Sequence, residues 1–295
     1  EYCTIKSIPF SFGGRLYKLS GFLYLIYTRY YCFKQNPRKV ICFGEFWNVL
    51  ALGSLYNSGF DIIISDRSDP QLVYSKMFQY ARKYLYPAAQ IIILQTQRAN
   101  KFLSYNVHNI KPVVISNYNA FKPSIQENPL PKGEVQLITA SRFIPSKQLD
   151  LLIDLMSNQT IRNHAILTIY GDDDHISGMR RKLEERAVQK AVSDKVIFAG
   201  KTHSLNKKMQ ASDAFLFASN SEGYTNAIME ALSEGVQVYT LFDFNEITGM
   251  NMPNYAVCNT METMEQNLLE FINNIDEYRK VRPHNHKLTL EILRE

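Results

Sequence analysis

The chain has 295 residues, 45% hydrophobic and 21% charged. These proportions exclude intrinsic disorder and leave room for two α/β domains, each with its own core. The net charge of +5 is mildly basic, which suits nucleotide diphosphates or an anionic membrane surface, and nucleic acid is not expected as a partner. Four cysteines, Cys3, Cys32, Cys42 and Cys258, form no CxxC pair and stand near no histidine at zinc-ligand spacing. They read as free thiols of a reducing compartment, the cytoplasm.

In chain order, the first feature is an apolar run at Leu19–Thr28, rich in Tyr and Phe and flanked by Arg15, Lys18, Arg29 and Lys34. At about ten residues it is half of what a bilayer span needs. Two readings stay open: a buried helix of the first lobe, or an interfacial helix with aromatics at headgroup depth on the inner face of the cell membrane. From residue 39 onward, short Ile- and Val-rich runs alternate with amphipathic stretches. Strands are expected at Lys39–Phe43, Asp61–Ser65, Gln90–Leu94 and Pro112–Ile115, and helices at Phe46–Asn57, Gln71–Tyr84 and Gln97–Ser104. This alternation implies βαβ units around a parallel sheet.

The stretch Asn117–Gly133 holds Pro123, Pro129 and Pro131 among polar residues and reads as a linker. The alternation then restarts. Strands are expected at Glu134–Ala140, Ala165–Tyr170, Lys195–Ala199, Ala214–Ala218 and Val236–Leu241. Helices are expected at Lys147–Met156, Met179–Val188, Leu205–Ala211, Asn226–Ser233, Met261–Ile275 and after Lys287. The expected fold is α/β, with two Rossmann-like doubly wound domains, 1–125 and 126–295, facing across a cleft at the carboxyl ends of both sheets. Before Lys39 only a weak strand at Tyr2–Ile5 and the pair Gly13-Gly14 are visible. The first βα unit of the N-terminal domain is therefore expected to be absent or to lie outside this chain.

Chemistry concentrates in Ser219-Asn-Ser-Glu-Gly-Tyr-Thr-Asn-Ala-Ile-Met-Glu-Ala-Leu-Ser-Glu-Gly235. Gly223 sits at a strand-to-helix turn, where the lack of a side chain lets a ligand approach the backbone. The free amides at the start of the next helix favour an anion such as phosphate. Glu222 lies at the turn. Glu230 lies farther along the helix, where a carboxylate accepts hydrogen bonds from vicinal ribose hydroxyls. The plainer alternative is an ordinary βα turn with two solvated glutamates.

This segment resembles the E-x7-E region of family 4 retaining glycosyltransferases of the GT-B fold. The match runs through Tyr224, Thr225, Asn226 and Ala227 as well as the two acids. The resemblance implies that Glu222 lies near the transferred sugar and Glu230 binds the nucleotide ribose. A second segment, Leu137-Ile-Thr-Ala-Ser-Arg-Phe-Ile-Pro-Ser-Lys-Gln-Leu-Asp-Leu-Leu-Ile153, resembles the same family's strand, Arg, loop, Lys and helix. It implies that Arg142 and Lys147 grip the diphosphate, the leaving group that needs fixed cations as the glycosidic bond breaks. Val114-Ile-Ser-Asn-Tyr-Asn119 resembles the turn closing the N-terminal domain, with Asn117 either at the cleft or in a plain turn.

Ser65-Asp-Arg-Ser-Asp-Pro70 resembles the Ser-Glu-Arg-x-x-Pro stretch of bacterial members that build lipid-linked glycans. Arg67 either meets an acceptor phosphate or belongs to a helix cap made by Ser68 or Asp69. Gly171-Asp-Asp-Asp-His175 looks like a DxD metal site, but it stands where the family has a turn near the nucleotide, and no metal is expected. Leu241-Phe-Asp-Phe-Asn-Glu-Ile247 keeps Glu246, a substrate-binding position, without the family's glycines. The resemblance covers roughly residues 60–275.

The implied function is retaining transfer of a hexose or N-acetylhexosamine from a UDP- or GDP-sugar to a growing glycan acceptor. The acceptor is expected to be polyprenyl-linked, in capsule, O-antigen or a similar cell-surface polysaccharide, with peripheral contact to an anionic membrane. No cofactor is implied beyond the donor substrate. Two alternatives stay open: a non-catalytic nucleotide-sugar-binding protein, and an epimerase or phosphorylase of the same fold, for which no signature is present.

Overall fold

The computed structural model describes residues 17–69, 75–117, 133–173, 178–243 and 252–293. Tyr2–Ile5, Gly13-Gly14, residues 118–132, Asp174, His175 and Glu246 lie outside the described residues. The chain divides into two compact units, Glu1–Ser116 and Asn117–Glu295. Each has one all-parallel sheet.

The first unit runs α1 (Tyr17–Gln35), β1 (Lys39–Phe43), α2 (Glu45–Ser54), β2 (Asp61–Ser65), α3 (Lys76–Leu85), β3 (Ile91–Leu94), α4 (Gln97–Asn106) and β4 (Pro112–Val114). The strand order is β1-β2-β3-β4. Right-handed crossovers that all step the same way put their helices on one face of the sheet. That face is the core, where Ile62, Ile64, Ile92 and Leu94 meet Leu52, Leu55, Tyr86 and Leu103. On β1 and β4, Ile41, Phe43 and Val113 are exposed, as is Ile115 just beyond β4. This is the period-2 alternation of a sheet covered on one side.

Helix α1 extends beyond the apolar run that marked it. It leans on α2: the Ser54 hydroxyl donates to the Leu25 carbonyl at 2.6 Å, and Arg29 donates to the Ser54 carbonyl at 2.8 Å. Cys32 is buried, but Phe22, Ile26, Tyr30 and Phe33 are exposed. The buried-helix reading therefore holds for only one side.

The second unit runs β5 (Val135–Ala140), α5 (Leu149–Leu155), α6 (Gln159–His164), β6 (Ala165–Tyr170), α7 (Met179–Gln189), β7 (Val196–Gly200), α8 (Leu205–Gln210), β8 (Ala214–Phe217), α9 (Asn226–Ser233), β9 (Gln237–Thr240), β10 (Tyr255–Val257), α10 (Met261–Asn273) and α11 (Ile275–Ile292). The strand order is β10-β9-β8-β5-β6-β7. Alternate strand residues feed two separate cores: Leu137, Leu167 and Leu216 enter one, and Ile138, Phe215 and Val238 enter the other. Both faces are thus covered, as in a doubly wound sheet.

Several boundaries differ from the sequence reading. Helix α5 starts at Leu149 rather than Lys147, because Pro145–Lys147 form a 3-10 turn and Gln148 takes a left-handed conformation with φ 47°. Helix α6 and strand β10 were not expected. Helix α11 begins well before Lys287 and carries Pro283 inside it. Ser68 and Asp69 cap no described helix, since Ser75 caps α3 by accepting from the Phe78 amide at 3.3 Å. Cys32, Cys42 and Cys258 are free thiols.

Candidate active site

In the second unit the chain steps from β5 to β6 and β7 on one side, then returns to β8 on the other side of β5. Ligands of open α/β sheets bind outside the carboxyl ends of the strands at such a switch point, here at the ends of β5 and β8. Arg142 and Lys147 lie on the loop after β5. Glu222, Gly223, Tyr224 and Thr225 lie on the loop after β8, and Asn226 and Glu230 lie on α9.

The two loops are fastened to each other. The Ser146 carbonyl accepts from the Ser219 hydroxyl and from the Asn220 amide, both at 3.1 Å. Next to this join, the Lys147 ammonium pairs with the Glu222 carboxylate and lies 5.5 Å from the centre of the Phe217 ring. Glu222 is buried and Lys147 half-buried. The pair satisfies both charges, which neither could leave unmatched away from water. The sequence reading gave these residues separate roles and did not foresee their contact.

A cavity of about 310 Å³ opens at the carboxyl ends of β5, β6 and β7. Arg142, Tyr170, Gly171, Lys201, Thr202 and Ala227 are among its lining residues. Only Gly171 fits its place, because a Cβ there would lie 1.8 Å from the Ser141 carbonyl oxygen. The loops after β5 and β6 also exchange backbone bonds: Ser141 donates to Tyr170 and Phe143 to Asp172, both at 3.0 Å. Tyr170, Lys201 and Thr202 escaped the sequence reading. Their only signal was position at or just past the carboxyl ends of β6 and β7.

Helix α9 begins at this cavity with Ala227 in its first turn. Thr225 stands at its N-cap but makes no capping bond. Its buried hydroxyl has no hydrogen-bond partner among the described residues. The first turn also lacks an acidic side chain, so its amides remain available to an anion. Glu230 lies one turn into the helix on the same side as Asn226. Burial, and then the neighbouring Glu234 charge, push its carboxyl up to about 7. Tyr224 packs against a core cluster, and Asn226 accepts from the Asn117 amide nitrogen at 2.7 Å.

The aspartates after β6 are engaged in structure. Asp172 pairs with Lys201 at 3.6 Å, and Asp173 accepts from the Arg180 amide at 3.2 Å. Among the described residues no three His, Cys, Asp or Glu side chains gather as metal ligands.

In the first unit, Arg67 sits on the loop after β2. Its guanidinium lies 5.8 Å from the centre of the Phe43 ring. The Glu45 carboxylate holds this loop by accepting from the Arg67 and Ser68 amides at 2.8 and 2.7 Å. Beneath it, buried Asp66 accepts from Asn48, Arg82 and Tyr86 at 2.9, 3.1 and 2.6 Å.

Residues 120–241 match the family model of group 1 glycosyl transferases. This stretch of the second unit is thus similar to the group 1 glycosyl transferases. Over 178 residues the chain is 29% identical to an uncharacterized glycosyltransferase of Methanocaldococcus jannaschii, covering 56% of this chain and 43% of that one. Over 182 residues it is 24% identical to the GtfA subunit of a UDP-N-acetylglucosamine–peptide N-acetylglucosaminyltransferase from Limosilactobacillus reuteri, covering 58% and 33%. The chain spans less than half the length of these two relatives. Among solved structures, HepE of Anabaena in complex with UDP and glucose superposes with a TM-score of 0.72 at 12% identity, covering 95% of this chain and 79% of that one. The fold is that of the GT-B glycosyltransferases, with two Rossmann-like units.

Proposed function

We propose that this protein is a retaining glycosyltransferase that moves a hexose or N-acetylhexosamine from a UDP-sugar to a growing, lipid-linked glycan of the cell surface. The observation that carries the reading is the convergence at one switch point of two cations, a buried glutamate and an uncapped helix N-terminus. A nucleotide diphosphate presents the matching charges. The names of the similar proteins favour UDP over GDP.

In this reading, the β-phosphate oxygen leaves C1 of the sugar while Arg142, Lys147 and the α9 amides take up its growing charge. The acceptor oxygen bonds to C1 from the same face, and its proton passes to the departing phosphate. Glu222 orients the sugar and Glu230 the ribose. Arg67 meets the phosphate of the acceptor. Two fixed cations do the work of a metal, so transfer should continue in EDTA.

Calorimetric titration with UDP, GDP and ADP tests the donor site. UDP is expected to bind selectively, and Arg142→Ala and Glu230→Ala should each weaken it at least tenfold, about 1.4 kcal/mol. If no nucleotide binds, or if both variants bind as the parent does, the reading fails.

A further inference from the structure

We propose that α1 and the start of α2 form a docking surface for an anionic lipid bilayer. The inference deepens the lipid-linked acceptor reading, which supplies its purpose, but it stands on separate observations.

The first is charge. Residues 1–116 hold 14 Lys and Arg against 5 Asp and Glu, whereas residues 117–295 hold 19 against 23. All of the positive excess therefore belongs to the first unit. Such asymmetry attracts a polyanion, and its reach is limited by salt.

The second is the composition and covering of α1. Seven of its nineteen residues are aromatic, and they are spread around its circumference. Among the described residues α1 is covered by α2 and, at Phe33, by the Phe60 ring at 5.2 Å between centroids, which leaves much of this aromatic surface open. Phe22, Ile26, Tyr30 and Phe33 form an exposed stripe at helical spacing. Cations sit within this stripe: the Arg29 guanidinium lies 5.2 Å from the Phe33 ring centre and the Lys34 ammonium 5.8 Å from that of Tyr30. Exposed Phe46 and Trp47 of α2 continue the aromatic surface, with Trp47 edge-on to Tyr24 of α1 at 5.5 Å.

The mixture points to a membrane surface rather than a dry protein interface. Tyrosine and tryptophan favour headgroup depth, and Lys and Arg among them meet lipid phosphates. Among the described residues no helix is long and apolar enough to cross a membrane, so this one would lie in the interface. The exposure of Ile41, Phe43, Val113 and Ile115 is separate from this surface and follows from the one-sided sheet.

Trp47 is the only tryptophan in the chain, which makes the test specific. The full chain is mixed with phosphatidylcholine vesicles, with and without phosphatidylglycerol, at low and high salt. Flotation is expected only with phosphatidylglycerol and should fall with salt. It should be accompanied by a blue shift of Trp47 emission. Phe22→Ser/Ile26→Ser/Phe33→Ser should weaken flotation about tenfold. Lys34→Glu/Arg38→Glu, which removes only exposed cations, should do the same and covers the case in which the first variant fails to fold. No flotation with phosphatidylglycerol, flotation without the blue shift, or full flotation by the charge variant overturns the proposal. UDP titration of the same samples reports on the donor site alone, so failure of that reading is seen separately.

Discussion

Glu230 is the residue whose chemistry most depends on conditions. Its folded pKa of about 7 stands above the ordinary glutamate value of 4.5 because burial, and then the Glu234 charge, disfavour ionisation. A ribose diol is held best by the ionised form, which only accepts hydrogen bonds. UDP affinity is therefore expected to rise as pH increases through about 7, and Glu230→Gln should flatten that dependence; calorimetry at about pH 6 and about pH 8 checks it. The sign for stability is opposite. The folded state holds this proton more tightly than the unfolded one, so the stabilisation is complete below pH 4.5 and lost as pH rises through about 7.

At the same scale, Arg142 and Lys147 stood out because a diphosphate needs their charges, and Glu222 through its resemblance to the E-x7-E region. The link between Lys147 and Glu222 was not legible. It depends on the Ser146 carbonyl, a backbone group that leaves no mark in sequence, and on the Ser219 hydroxyl.

Among the elements, β9 and α9 are set by Gly235 and α11. Gly235 has φ 70°, and a Cβ there would lie 2.6 Å from His286. His286 is buried, with its Nε2 2.6 Å from the Ser233 carbonyl, and burial lowers its pKa. Arg282, one turn earlier, donates to the carbonyls of Ser212, Gln210, Met209 and Glu234 at 2.7 to 3.4 Å. It thereby closes the ends of α8 and α9. Gly235→Ala meets both the clash and the left-handed backbone and should cost about 2–4 kcal/mol. Urea denaturation measures it, and a loss below about 0.5 kcal/mol would contradict this account.

Strands were the most legible elements, because short runs rich in Ile and Val stand out between polar turns. Lys39–Phe43, Asp61–Ser65 and Ala165–Tyr170 were found to the residue. Helix α6 escaped because it is a short polar helix, held by Asn158, which accepts from the Thr160 and Ile161 amides. The start of α5 was misplaced because Gln148 takes a conformation that glycine usually marks. The early start of α11 escaped because Pro283 argued against a helix there, whereas Arg279 and Arg282 anchor that stretch through Asp213 and backbone carbonyls.

For the molecule as a whole, the two units differ in what holds them. Among the described residues, the first has one buried cluster of 11 and the second has two, of 25 and 12. Stability follows buried apolar area, so the first unit should unfold at lower urea than the second. Saturating UDP should shift only the later transition, by about 2.7 kcal/mol at a hundredfold excess over Kd. Trp47 fluorescence follows the first unit, and near-ultraviolet circular dichroism follows both. A single transition shifted as one would show that the units unfold together.

The contact between Lys147 and Glu222 changes what it means for a donor to arrive. The lysine is not a bare cation waiting for phosphate, because a carboxylate already neutralises it. In the proposed reading a diphosphate must share or replace that partner, so binding is an exchange of one anion for another. The same exchange would release Glu222 toward the sugar only once phosphate has taken its place, making readiness of the glutamate a consequence of occupancy.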